Sequence, residues 1–193
     1  MVRRASSGDR VAAGELFDHF HPRVYRYALA KLRRPADAED VAAETFARVL
    51  RDLGKFRWKG AGFEAWLFRI AGNLVVDHVR RAGGELPVDA TIDDTQIDER
   101  TPEMLTLRGE TTRDLNAMLN TLPDDQREVL VLRFAGGLDS NETAEVMGRN
   151  ANAVRQLQFR ALSNLRTMTA SAETQSMTPP PSPSDLAVEP RTT

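Results

Sequence analysis

Near residue 155 the sequence places polar and aromatic side chains at the spacing of one helix face. These side chains are Asn152, Arg155, Gln156, Phe159 and Ser163. At about 100° per residue, the opposite face is apolar and comprises Val154, Leu157, Ala161 and Leu165. In the major groove of DNA, arginine pairs with guanine, asparagine or glutamine pairs with adenine, and an apolar ring contacts the thymine methyl group. The pattern therefore predicts a helix that reads base pairs.

The residues before this helix predict that it is the second helix of a helix-turn-helix over 139–166. Asp139 and Glu142 have the spacing of a capping box. Gly148 can adopt the positive φ of a tight turn, and Asn150 can cap the second helix.

The charge of this segment also favours DNA. Residues 148–172 contain no acidic residue, and their charged residues are Arg149, Arg155, Arg160 and Arg166. Such a strip suits a phosphate backbone. A solvated helical hairpin is the alternative, but the helical offsets and the charge asymmetry together favour DNA binding. The predicted DNA contacts are Arg149, Asn150, Asn152, Arg155, Gln156, Phe159 and Arg160.

A second candidate surface begins in loop 54–62, where basic and aromatic residues alternate. They are Lys55, Phe56, Arg57, Trp58 and Lys59. This composition suits the stacking of unpaired bases and the binding of phosphates, although Phe56 and Trp58 could equally cap a core. The helix predicted over 63–81 carries an opposed polar stripe of Trp66, Arg69, Asn73, Asp77 and Arg80. A tryptophan directed outward among such residues indicates a nucleic-acid surface.

Two earlier helices are predicted, over 10–33 and 37–53, and Pro22 is expected to kink or restart the first. The core residues expected from the first are Leu16, Phe20, Val24, Tyr27 and Leu32. The second helix has an outward stripe of Asp37, Asp40, Glu44, Arg48 and Arg51. The pattern alone leaves open whether this stripe is solvated or binds a partner.

Composition excludes several classes of protein. The 193 residues include no cysteine, so disulfides and thiol catalysis are excluded. We find no apolar run long enough to span a membrane and no signal core in residues 1–10, and we expect a cytoplasmic protein. No set of residues has the spacing of a catalytic or metal site, so we expect neither an enzyme nor a cofactor.

The net charge of −2 is unevenly distributed. Residues 83–112 carry eight acidic residues and two arginines, a charge of −6, and residues 169–193 carry −2, which leaves +6 for the rest. We therefore predict an all-α protein of two basic helical domains, 8–82 and 113–168. An acidic linker, 83–112, joins them, and a disordered tail rich in proline, serine and threonine, 169–193, follows.

Four segments in this order resemble the extracytoplasmic-function (ECF) group of bacterial sigma-70 factors, which keep only regions two and four. They are DAEDVAAETFARVL (37–50), FEAWLFRIAGNLVVDHVRR (63–81), LPDDQREVLVLRF (122–134) and the helix-turn-helix. The resemblance implies that the helix-turn-helix reads the minus-thirty-five element. It also implies that Asp37, Asp40, Glu44 and Arg48 bind the β′ clamp helices of core RNA polymerase.

The residues that the resemblance assigns to recognition and melting of the minus-ten element are Lys55, Phe56, Arg57, Trp58, Lys59, Trp66, Arg69, Asn73, Asp77 and Arg80. The implied partners are core RNA polymerase, through the β′ clamp helices and the β flap, promoter DNA and an anti-sigma factor. Gly72, Thr143 and Arg149 depart from the family pattern, because a basic residue often stands at the first position and apolar residues at the other two.

Two other functions compete with this one. A stand-alone regulator would use the helix-turn-helix alone and has no need of a base-stacking loop. A helical adaptor without DNA binding does not account for the acid-free stretch 148–172.

Overall fold

The computed structural model describes residues 1–58, 60, 62–83 and 116–176, so Lys59, most of the predicted linker and residues 177–193 lie outside the described residues. The described residues form helices and contain no strand. The helices are α1 (Val2–Ser6), α2 (Arg10–Leu32), α3 (Pro35–Asp52), α4 (Phe63–Arg81), α5 (116–121), α6 (Asp124–Leu130), α7 (Ser140–Met147) and α8 (Ala151–Ser176). A 3₁₀ turn, Leu53–Lys55, follows α3, and a π-helical turn, Val131–Ala135, follows α6.

Helix α2 passes through Pro22 without a break, so the expected restart there is wrong. Proline removes an N–H and leaves the carbonyl four residues earlier, on Asp18, without its helical donor. Pro22 and Asp18 are both exposed, so water can bond that carbonyl. The cost of the proline is therefore low enough for the helix to continue.

The main core lies between α2, α3 and α4, and the residues predicted to form it, Leu16, Phe20, Val24, Tyr27 and Leu32 of α2, are buried there. Helix α3 buries Val41, Thr45 and Val49 against them. The same cluster also contains Val131, Leu132 and Leu138, which follow α6. The first unit, residues 1–83, and the second unit, residues 116–176, therefore both contribute to the main core, and the second unit also has two smaller apolar clusters of its own. The predicted all-α fold with two helical units is confirmed, whereas hydrophobic periodicity did not show that the units pack against each other.

Polar contacts reinforce the packing between the two units. The Arg23 guanidinium of α2 donates to the carbonyls of Gly136, at 2.8 Å, and Gly137, at 3.0 Å, and it pairs with Glu64 of α4 at 2.5 Å. We call these four residues the Arg23 clasp. The Arg23 side chain is only 16% exposed, so the two carbonyls and the carboxylate replace water that its guanidinium has lost.

A second polar group lies beside the clasp. Tyr27 donates its hydroxyl to Glu128 of α6 at 3.1 Å, and Lys31 pairs with the same carboxylate at 2.5 Å. Burial, followed by the nearby Glu128, raises the pKa of Tyr27 well above its usual value. A Cβ on Gly72 would lie 3.2 Å from this hydroxyl. This close approach accounts for a glycine where the family often has a basic side chain.

Helix α8 extends to Ser176, beyond the end at Met168 that the sequence indicated. Residues 169–176 contain neither glycine nor proline, and the first proline follows at Pro179, so no residue there stops the helix. The proline-rich part of the predicted tail lies outside the described residues.

Glu142 gives a testable prediction on stability, because it completes the capping box of α7 and is partly buried. Its carboxylate accepts from the Asp139 amide at 2.7 Å. Burial raises the pKa of Glu142, and the Asp139 amide opposes this increase. Glu142→Ala should lower the free energy of unfolding by about 1 kcal/mol through loss of the cap. Glu142→Gln keeps an acceptor without a buried charge, so it should cost less.

The pH dependence of unfolding provides the control for this prediction. A group whose pKa is raised on folding contributes stability at low pH, and that contribution is lost as pH rises through the folded pKa. The wild type should therefore gain stability relative to Glu142→Gln as the pH falls from neutral through this raised pKa. Urea unfolding followed by circular dichroism measures the difference, and a difference independent of pH would contradict the account.

Candidate nucleic-acid interface

The helix-turn-helix forms with the caps predicted from its sequence. The Asp139 carboxylate accepts from the backbone amide of Asn141 at 2.7 Å and from that of Glu142 at 2.8 Å. Gly148 ends α7 with φ 63°, and the Asn150 side chain accepts from the Ala153 amide at 2.8 Å. These bonds fix the turn and therefore the direction in which α8 begins.

Helix α8 has the two faces that its sequence predicts. Val154 and Ala161 are fully buried, whereas the Phe159 ring is 71% exposed. The exposed polar residues of the outer face include Asn152, Arg155, Gln156 and Arg160. An exposed phenylalanine among them is what contact with a thymine methyl group requires.

The two departures from the family pattern in the turn have different explanations. Thr143 is buried, and its hydroxyl donates to the Asp139 carbonyl at 2.7 Å, so its polar atom is satisfied within α7. Arg149 forms an ion pair with Asp125 of α6. Arg149 therefore connects the turn of the helix-turn-helix to α6, and it remains exposed at the predicted DNA surface.

The loop after α3 and the start of α4 form an aromatic cluster in which the two tryptophans differ in exposure. Trp66 is half-buried against the main core, with its ring centroid 5.0 Å from that of Phe56 and 5.7 Å from that of Phe63. Trp66 is therefore only partly exposed, because the rings of Phe56 and Phe63 pack against it. Trp58 is the exposed tryptophan, with 53% of its surface accessible.

Sequence reasoning missed a residue that contacts this ring. The Arg3 guanidinium of α1 lies 5.6 Å from the ring centroid of Trp58. Contact between residues so far apart in the sequence depends on how α1 folds back, which neither spacing nor composition shows.

The polar stripe of α4 forms on the outside of the helix. Arg69, Asn73 and Arg80 are exposed, and Asp77 is half-buried. Arg69 donates to the backbone carbonyl of Glu145 in α7 at 3.0 Å. One of the predicted minus-ten contacts is therefore bonded to the first helix of the helix-turn-helix, although half of its side chain remains accessible.

The stripe on α3 forms in part, since Asp37 and Arg48 are half-buried. Asp40 and Glu44 are exposed, and Glu44 pairs with Arg48 at 2.8 Å. Asp37 is half-buried instead of outward, and lies 3.4 Å from His78 of α4. It belongs to the first turn of α3, which packs against α4, so its position follows from the helix pairing.

The predicted polymerase and DNA surfaces meet in a groove of about 740 Å³ between α3 and α4. Its lining includes Asp40, Glu44 and Arg48 from α3 and Asp77 and Arg80 from α4. Residues predicted to bind different partners therefore border the same groove.

Within the described ranges, no helix is both long and apolar enough to cross a membrane. The same residues contain no group of three or more His, Cys, Asp or Glu side chains that could hold a metal ion.

Comparison with known proteins identifies the two units. Residues 16–85 match the family described as Sigma-70 region 2, and residues 112–165 match Sigma-70, region 4. The ECF RNA polymerase sigma factor ShbA of Streptomyces griseus is 38% identical over 178 residues, which cover 87% of this chain and 93% of ShbA. The ECF RNA polymerase sigma factor BldN of Streptomyces coelicolor is 40% identical over 86% of this chain, and the match spans 63% of BldN.

A solved structure agrees with these relatives. CnrH, determined in complex with the cytosolic domain of CnrY, matches 88% of this chain and 95% of its own with a TM-score of 0.64 at 26% identity. Both regions, in the same order, and a 38% identical relative matched over nearly its whole length show the family. The chain belongs to the sigma-70 family, in its group of ECF RNA polymerase sigma factors.

Proposed function

We propose that this chain binds core RNA polymerase in the cytoplasm and directs it to specific promoters. Helix α8 reads the minus-thirty-five element in duplex form. Loop 54–62 and α4 bind the minus-ten element and hold it open, and the exposed stripe of α3 docks on the β′ clamp helices. The chain contributes recognition, while polymerase carries out the chemistry.

The observation that carries this proposal is the presence of two different nucleic-acid surfaces in one chain. The outer face of α8 has the side chains of a base-pair reader, with Phe159 exposed beside arginine and glutamine. The loop after α3 instead presents the exposed ring of Trp58 beside Arg57, which suits an unpaired base and its phosphate. A stand-alone helix-turn-helix regulator needs only the first surface.

The closed arrangement of the units limits when both surfaces can act. Elements centred at minus ten and minus thirty-five are about 85 Å apart along B-DNA, at about 3.4 Å per base pair. The two units share a core, so they must separate before both elements are bound. Residues 84–115 join them, and a chain of that length can extend to roughly 105 Å.

The proposed partners are core polymerase, through the β′ clamp helices and the β flap, promoter DNA and an anti-sigma factor. CnrH was solved with the cytosolic domain of CnrY bound, which supports a protein partner for the same fold. An anti-sigma factor that binds both units would keep this chain from polymerase.

Run-off transcription with purified core polymerase tests the proposed function. Genomic fragments selected by the chain and polymerase together should give discrete transcripts only when both are present. A stand-alone regulator would retain the same fragments without polymerase and would produce no transcript. The second result would replace the proposed function by the alternative.

Polymerase docking gives a prediction for α3. Reversing the charge of Asp40 and Glu44 together should weaken binding to core polymerase while helicity is retained, because both side chains are exposed. Loss of the exposed Glu44–Arg48 pair should cost at most about 1 kcal/mol of stability. The matched control is charge reversal at Asp18 on α2, which is also exposed. Equal polymerase binding by the folded double variant and the control would contradict the assignment.

Promoter reading gives a prediction for α8. Arg155→Ala or Gln156→Ala should each cost on the order of 1–3 kcal/mol of discrimination between promoter variants, because each removes contacts to a base edge. The control is Arg166→Ala, on the same helix beyond the reading face, which should weaken binding without changing sequence preference. Affinities of the full chain in complex with polymerase for single-base promoter variants measure both effects. Equal losses on every sequence for all three variants would rule out base reading by these residues.

A further inference from the structure

The first helix, α1, is held firmly against the loop that carries the aromatic cluster. Ala5 is buried in the main core, and Val2 packs against it. Arg4 pairs with Asp9 at 2.9 Å, and the Asp9 side chain also caps α2 by accepting from the Ala12 amide. Helix α1 therefore packs against the main core and is joined to the cap of α2 by the Arg4–Asp9 pair.

This docking places Arg3 over the exposed tryptophan of the cluster. The Arg3 guanidinium lies 5.6 Å from the Trp58 ring centroid, within the range of a cation–π contact. Phe56 meets Trp58 edge to face, with centroids 5.4 Å apart. Arg3 and Phe56 thus hold the indole from two sides, while 53% of the Trp58 surface remains accessible.

The charge around this ring suits a single-stranded nucleic acid. Arg3, Lys55 and Arg57 are all exposed. Within the described residues, Arg3 forms no ion pair with an acidic residue that would neutralise it. A planar guanidinium bonds phosphate through two N–H groups, and an indole stacks on any base.

We propose that Arg3 is a positioning residue for Trp58 and also contacts a phosphate, so that α1 is part of the surface that holds an unpaired DNA strand. The base stacks on the open face of Trp58, and the guanidinium that backs the ring reaches the adjoining phosphate. A ring held in one orientation loses less freedom when a base stacks on it, and this favours binding. The inference rests on the proposed function for its setting, although the site itself can be tested in the free chain.

The experiment uses the full chain with Trp66→Phe, which leaves Trp58 as the single tryptophan of the two in the sequence. The probe is single-stranded oligo(dT), and quenching of Trp58 fluorescence reports its binding over a range of salt concentrations. Arg3→Gln should weaken binding by about three- to tenfold and reduce the salt slope by about 0.7, the value for one phosphate contact on a single strand. Arg3→Lys should retain the salt slope and lose only part of the affinity.

The matched control is Arg10→Gln, which removes the same charge from an exposed position at the start of α2. It should leave the salt slope unchanged. Acrylamide quenching of Trp58 fluorescence without DNA tests whether Arg3 holds the ring in position. Arg3→Gln should make Trp58 more accessible to acrylamide. Two results would overturn the proposal. In the first, the Trp66→Phe chain that retains Arg3 does not bind oligo(dT). In the second, Arg3→Gln and Arg10→Gln have the same salt slope and the same affinity. Neither result depends on polymerase, so failure of this site is distinct from failure in run-off transcription.

Discussion

The contact between Arg23 and the end of the π-helical turn is the interaction on which the rest of the arrangement depends. A guanidinium that has lost most of its water needs other acceptors, and the carbonyls of Gly136 and Gly137 together with Glu64 accept hydrogen bonds from its Nε and Nη2 atoms. Because Gly136 and Gly137 directly precede the helix-turn-helix, this clasp sets where α7 begins. Helix α7 then lies against α4, and the Glu145 carbonyl meets Arg69.

If the two units separate to bind DNA, as we propose, the hydrogen bonds of the Arg23 clasp to Gly136 and Gly137 must break. Its polar partners are backbone carbonyls and one half-buried carboxylate, all of which water can bond once the units part. The apolar contribution comes from Val131, Leu132 and Leu138. Exposing them costs free energy in proportion to their area, about 25 cal/mol per Å². Under the proposed function, binding to polymerase and promoter would supply that free energy.

Much of the fold and of the site could be predicted from the sequence, because both depend on local rules. Helical periodicity identified the buried faces of α2 and α8, and cap chemistry located Asp139, Gly148 and Asn150. Contacts between elements distant in sequence could not be predicted in this way. The partial burial of Trp66, the pairing of Asp37 with His78 and the packing of the two units depend on tertiary structure. So does the placement of Arg3 beside Trp58.

We propose that the two DNA surfaces of this chain lie together in the free protein and separate when it reads a promoter. Energy transfer between dyes on Asp18→Cys and Ser171→Cys measures this separation, since both residues are exposed and the sequence has no other cysteine. The account predicts efficient transfer in the free chain and a large loss of transfer in the complex with polymerase and promoter DNA. The same transfer efficiency in both states would contradict it.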